Sequence, residues 1–124
     1  MTTVRDVMST TIVSVEPSAT ISEAATAMGK HHVGSAVVLD GGRLVGIFTE
    51  RDIVKALAAD FDAPHNPVHE WMSRDPATIG PGASIEEALE RMLAGGFRHL
   101  PVFEGDDLVG MVSIRDVSTA RAQE

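Results

Sequence analysis

Two four-residue stretches hold the most chemically suggestive spacing in the chain. Thr49-Glu-Arg-Asp52 and Ser113-Ile-Arg-Asp116 each set a hydroxyl three residues ahead of a carboxylate, with an arginine just before the acid. Both end a longer shared phrase, Gly46-Ile-Phe-Thr-Glu-Arg-Asp52 and Gly110-Met-Val-Ser-Ile-Arg-Asp116. A hydroxyl followed three residues on by an acid is a helix-capping pair, each side chain bonding the other's backbone amide. That role explains the hydroxyl and the carboxylate. It does not explain the arginine, whose charge early in a helix opposes the macrodipole. A helix N-terminus with free N–H groups, an arginine and a hydroxyl can also seat phosphate or another anion. A neighbouring carboxylate can accept from the two hydroxyls of a ribose. Beside an apolar slot, these groups suit a nucleoside phosphate. The capping role and the ligand role are compatible, and both stay open here.

Other candidate groups carry less. His31-His32 and the pair His65 and His69 resemble metal ligands, but Pro67 stands between the latter two and breaks a regular helical ligand face. They read as surface histidines, and no metal site is expected. Met28 and Met92 fall on apolar helical stripes and read as core. Trp71 reads as packing rather than stacking on a base, and Glu86, Glu87 and Glu90 as a solvated helix face. No nucleophile–base arrangement, Walker loop or metal quartet is present, so an enzyme is not expected.

Composition narrows the class. The 124 residues are 44% hydrophobic and suffice for one domain of ordinary size with a buried core. Cysteine is absent, which removes thiolate chemistry and Cys-based zinc sites. A formal charge of −8 and few aromatics argue against nucleic acid as a partner. No stretch reaches the ~18 apolar residues of a membrane span, so a soluble, cytoplasmic protein is expected.

The elements that position the two stretches are themselves duplicated. A shift of 64 residues lays Asp116 on Asp52, Gly110 on Gly46, Met92 on Met28 and Met72-Ser73 on Met8-Ser9 without a gap from Val7 to Val54. Along that span 15 of 48 positions are identical, so the chain is two copies of one supersecondary unit. Each copy predicts a strand (Ile12 to Val15; Ala77 to Ile79), then a capping box (Thr20 with Glu23; Ser84 with Glu87) and an amphipathic helix ending near Gly29 or Gly95. A hairpin follows, Ser35 to Leu39 with Leu44 to Phe48, and His99 to Phe103 with Leu108 to Val112. The turns Asp40-Gly-Gly42 and Glu104-Gly-Asp106 tolerate positive φ. A last helix begins at Thr49 or Ser113. Short helical lead-ins are expected at Val4 to Met8 and Val68 to Met72, with Asp60 to Pro67 as a turn-rich linker.

This α/β unit of strand, helix, strand, strand, helix, with Gly, two apolar residues and Thr/Ser-x-x-Asp opening its last helix, resembles the CBS domain. Two in tandem resemble a CBS pair, or Bateman module, over almost the whole chain. Asp6-Val-Met8, Glu70-Trp-Met72, Leu44-Val-Gly46, Leu108-Val-Gly110 and Arg98-His-Leu-Pro-Val102 support the likeness. The implied organisation is unit 1 at 1–60, a linker at 61–67 and unit 2 at 68–124, related by pseudo-twofold symmetry with their sheets face to face.

The resemblance implies a regulatory module that binds an adenosine-containing small molecule (AMP, ADP, ATP or S-adenosylmethionine class) as effector. No cofactor is required, and the module would act on an effector protein the sequence does not name. In a first site Thr49 and Asp52 would hold ribose and Arg51 would lie near phosphate. Thr11, Ile12 and Val13, with Val33, Gly34 and Ser35, would meet the base. In a second, Ser113 and Asp116 would hold ribose, with Arg115 matching Arg51. Asp75, Pro76, Ala77 and Phe97 would enclose the base, and Arg98 and His99 would reach phosphate. Arg98-His99 replaces Gly34-Ser35, so the second site should favour phosphorylated ligands and the first a weaker or less charged one. The bland alternative pairs Arg98 with Asp75 or Glu104. Apolar surface on the helices over Ile53 to Ala59 and Ile85 to Leu93 implies a homodimer. The rival to a sensor is an interaction or scaffold protein with vestigial clefts; a metal- or polynucleotide-binding member of the family is a weaker third.

Overall fold

The computed structural model describes residues 1–124. In chain order it contains α1 (Val4–Val7), β1 (Ser14–Val15), α2 (Ile21–Lys30), β2 (Ser35–Asp40), β3 (Arg43–Thr49), α3 (Glu50–Ala59), β4 (Ser73–Arg74), α4 (Ile85–Gly95), β5 (His99–Glu104), β6 (Asp107–Ser113) and α5 (Ile114–Ala122). Single turns of 3-10 helix at Ala63–His65 and Val68–Glu70 lie between α3 and β4.

The compact units cut across the sequence copies. One comprises Ile12–Pro76; the other joins Met1–Thr11 to Ala77–Glu124. Each copy's lead-in is therefore packed on the other copy's helices and hairpin.

In the unit Ile12–Pro76, four strands run in the order β1-β2-β3-β4. The hairpin β2–β3 is antiparallel, β1 is parallel to β2, and β4 adds to β3 opposite Gly46 and Ile47. Val68 donates its amide to Ala19 O at 2.8 Å and Ile21 to Asn66 O at 2.9 Å, which fastens the lead-in to the start of α2. Gly46 is required here, because a side-chain carbon would stand 2.5 Å from Met72 Sδ and 2.9 Å from Ser73 O. Beneath lie Val13, Ile21, Ala24, Met28, Ala36, Val38, Phe48, Ala56, Ala63 and Val68.

The other unit repeats these contacts with the N-terminal segment. Val4 donates to Ala83 O at 2.8 Å and Ile85 to Thr2 O at 3.3 Å. Ser9 bridges Met111, and a carbon at Gly110 would stand 2.6 Å from Met8 Sδ. Val4 is fully buried with Ile85, Ala88, Met92, Leu100, Val102, Val112 and Val117.

Two local expectations are revised. The strand expected over Ala77 to Ile79 reduces to one parallel bridge, Ile79 to Val102. Val37 donates to Val13 O at 2.9 Å, but its counterpart Pro101 has no N–H to offer Ala77. The box at Ser84 is half made. Glu87 N does reach Ser84 Oγ at 3.1 Å, yet the Glu87 carboxylate turns to Arg91, 3.2 Å away. At Thr20 the box is complete, and the Thr20 amide and hydroxyl hold the Glu23 carboxyl below its usual range.

Candidate functional site

Register across each hairpin builds the two candidate clusters. Ser35 pairs with Thr49, and His99 with Ser113. Just beyond each pair the first helical amide is tied back across the strands: Glu50 N to Gly34 O at 3.1 Å, and Ile114 N to Arg98 O at 2.8 Å. This bond brings residues 33–35 beside 49–52, and 97–99 beside 113–116.

Within the first cluster the capping box closes on itself. Thr49 N and Thr49 Oγ1 both donate to Asp52 Oδ2, at 2.9 and 3.2 Å, and Asp52 N donates to Thr49 Oγ1 at 3.4 Å. Asp52 is only 8% exposed, a buried acid satisfied in this way. Ser35 is also buried. Val33 is partly buried against the core, while Val13 lies within it and gives its carbonyl to Val37. Ile12 is half-buried. Arg51 is exposed, and its side chain makes no hydrogen bond or ion pair.

The second cluster is more open. Ser113 N donates to Asp116 Oδ2 at 3.0 Å, and Asp116 N to Ser113 Oγ at 3.1 Å. The Ser113 hydroxyl gives its proton to no protein acceptor, and Asp116 Oδ1 accepts from no protein donor. Asp116 and His99 are half-buried. Arg98 and Arg115 are exposed and unpaired. Of the two acids considered for Arg98, Glu104 is engaged by Arg5 at 2.7 Å and Asp75 forms no ion pair. The Phe97 ring folds onto Gly95, in space a side chain there would need, and packs with Ala77 against the core.

Three expected residues fall in the opposite unit from the rest of their sets. Thr11 belongs with Met1–Thr11, where its amide donates to Ser9 Oγ at 3.2 Å. Asp75 and Pro76 belong with Ile12–Pro76; Asp75 takes a left-handed φ of 49° and donates its amide to Val45 O at 3.3 Å.

Glu50 is the residue that sequence reasoning passed over. Its carboxylate lies over Gly34: a side-chain carbon there would stand 3.3 Å from Oε2 and 3.7 Å from Oε1. The signal was present in the aligned copies, where Glu50 stands against Ile114 just as Gly34 stands against Arg98. Trp71 packs against the core of its unit with Nε1 buried and without a hydrogen-bond partner. No three His, Asp or Glu side chains gather as a metal set, and no helix is long and apolar enough to cross a membrane.

The CBS-domain family profile matches residues 4–59 and again 68–123. This chain belongs to the CBS-domain family. The two CBS copies are 43% identical over 122 residues to an uncharacterized 17.7 kDa protein of Acidianus ambivalens, covering 96% of this chain and 73% of that one. Among solved structures, the CBS-domain protein ATU1752 from Agrobacterium tumefaciens matches with a TM-score of 0.87 and 37% identity, over 97% of this chain and 99% of that one. The CBS-domain pair of protein MJ0100, solved with 5′-methylthioadenosine and S-adenosyl-L-methionine, matches with a TM-score of 0.85 and 28% identity, over 98% and 97%.

Proposed function

We propose that this CBS pair is a regulatory sensor of an adenosine-containing ligand and acts on a partner protein rather than on a substrate. The observation that carries the reading is the arginine. In both copies it stands unpaired beside a capped carboxylate at a helix N-terminus, where neither capping nor packing employs it. The related pair that holds methylthioadenosine and S-adenosylmethionine gives the ligand class its chemical precedent. Asp116, with one carboxylate oxygen spent on the cap and one open, is suited to a ribose hydroxyl.

A ligand acts as a signal only if its affinity differs between two states of the protein, and the partner would read that difference. The same reading includes a cytoplasmic location, where a sensor would meet such ligands. A homodimer fits the exposed Val54, Leu57 and Phe61, spaced three and four residues apart along and just beyond α3; light scattering measures its mass.

The scaffold reading also has an observation in its favour: Thr49 and Asp52 satisfy one another without a ligand. Calorimetric titration with AMP, ADP, ATP, S-adenosylmethionine and NADH separates the two. For a sensor, at least one ligand gives heat with wild type, and that heat is lost in Asp116→Ala while circular dichroism shows an intact fold. If none binds wild type and Asp116→Ala only lowers the melting temperature, the boxes are caps and the protein is a scaffold.

A further inference from the structure

The two copies present opposite charge at one pair of equivalent positions. The backbone bonds Glu50 N to Gly34 O and Ile114 N to Arg98 O make residues 34 and 50 neighbours in one copy, and 98 and 114 neighbours in the other. In copy one the pair is Gly34 and Glu50, with the carboxylate lying over the glycine. In copy two it is Arg98 and Ile114. The first pair carries one negative charge and the second one positive. Neither Glu50 nor Arg98 is neutralised by another protein group, since each makes no hydrogen bond or ion pair through its side chain.

We infer that this reversed pair sorts ligands by charge: copy one excludes phosphate and accepts only adenosine compounds that are neutral or cationic at the 5′ end, while copy two takes the phosphorylated ones. The inference rests on the adenosine reading above and adds a specificity-determining residue, Glu50, that acts by repulsion. A phosphate brought beside Arg51 in copy one would also face the Glu50 carboxylate. Like charge from the adjacent residue of α3 opposes the gain from the arginine. A thioether would not be repelled, and a sulfonium would be attracted. In copy two, Arg98 adds a second guanidinium to Arg115, and the apolar Ile114 adds no opposing charge.

The swap is sterically feasible. Gly34 does not occupy the left-handed region, and only the flexible end of Glu50 crowds the place a side chain would fill. Gly34→Arg with Glu50→Ile therefore transplants the copy-two pair into copy one.

Calorimetry with AMP and with 5′-methylthioadenosine as probes tests the inference. Wild type should bind one AMP per chain, and Arg98→Gln should weaken it roughly ten- to a hundredfold while changing methylthioadenosine affinity less than about twofold. The double variant Gly34→Arg/Glu50→Ile should bind two AMP per chain. Glu50→Gln, a milder change at an exposed position, should by itself raise AMP affinity at copy one by about tenfold. Two equivalent AMP sites in wild type, or one site in the folded double variant, would overturn charge sorting while leaving an adenosine sensor intact. If neither AMP nor methylthioadenosine binds wild type, the adenosine reading itself falls, and the sorting with it.

Discussion

The two copies share a backbone plan but solve their interiors differently. Across the copy-one hairpin the buried pair is Ala36 opposite Phe48; across the copy-two hairpin it is Leu100 opposite Val112. One puts its bulk on the second strand, the other divides it between both. Equivalent positions therefore need not hold equivalent residues, so long as the facing volumes fill the same space. The candidate sites differ in the same manner. Copy one closes its hydroxyl and buried carboxylate on each other and sets Glu50 over Gly34. Copy two leaves a hydroxyl proton and a carboxylate oxygen open, beside two unpaired arginines. A duplicated fold can thus keep its architecture while its two clusters diverge in charge.

The comparison can be broken most severely in the core. Phe48→Ala should cost about 3–5 kcal/mol in thermal or urea unfolding. Phe48→Val combined with Ala36→Leu, which imports the copy-two solution, should recover much of the loss of Phe48→Val alone. Additive losses in that double variant would show that the two interiors are not interchangeable.

A smaller effect tests the exchange of lead-ins. Val4 belongs by sequence to copy one but is buried with the copy-two core, so Val4→Ala should cost about 1.5–3 kcal/mol. Amide exchange should quicken in β5 and β6 while β2 and β3 keep their protection. Faster exchange in β2 and β3 instead would contradict the cross-packing.

The smallest effect lies at the two α-helix starts. Glu23→Ala removes half of a complete box and should lower the melting temperature slightly but measurably. Glu87→Ala removes only an exposed ion pair with Arg91 and should cost at most about 0.5 kcal/mol. Acid sharpens the contrast. Because Thr20 holds the Glu23 carboxyl below its unfolded value, its contribution is present above that value and is lost as pH falls through the lower folded one. Thr3 acts likewise on Asp6, and Asn66 with the Asp62 amide on Asp60. Glu23→Ala should show a shallower loss of stability on acidification than wild type; an identical acid limb would mean that Thr20 leaves the carboxyl unshifted.

Much of the plan was legible because it depends on nearby residues. Periodicity placed α2 and α4, glycine turns placed both hairpins, and the hydroxyl–acid spacing placed the starts of α3 and α5 within a residue. Local rules failed where a second partner competed. Glu87 had the right spacing for a box, but Arg91 one turn on took its carboxylate. Ala77 to Ile79 had the apolar character of a strand, but Pro101 lacked the amide to pair it.

The sequence alone determined the duplication, the order of elements and the residue types of both candidate clusters, since all of these follow from spacing along one chain. Tertiary structure decided which core each lead-in joins, that Gly46 and Gly110 make room for the lead-in methionines Met72 and Met8, and that Glu50 lies over Gly34 while Arg98 stands without an acid. Those outcomes turn on contacts and charges between residues far apart in the chain or across a hairpin, where position in space rather than spacing sets the interaction.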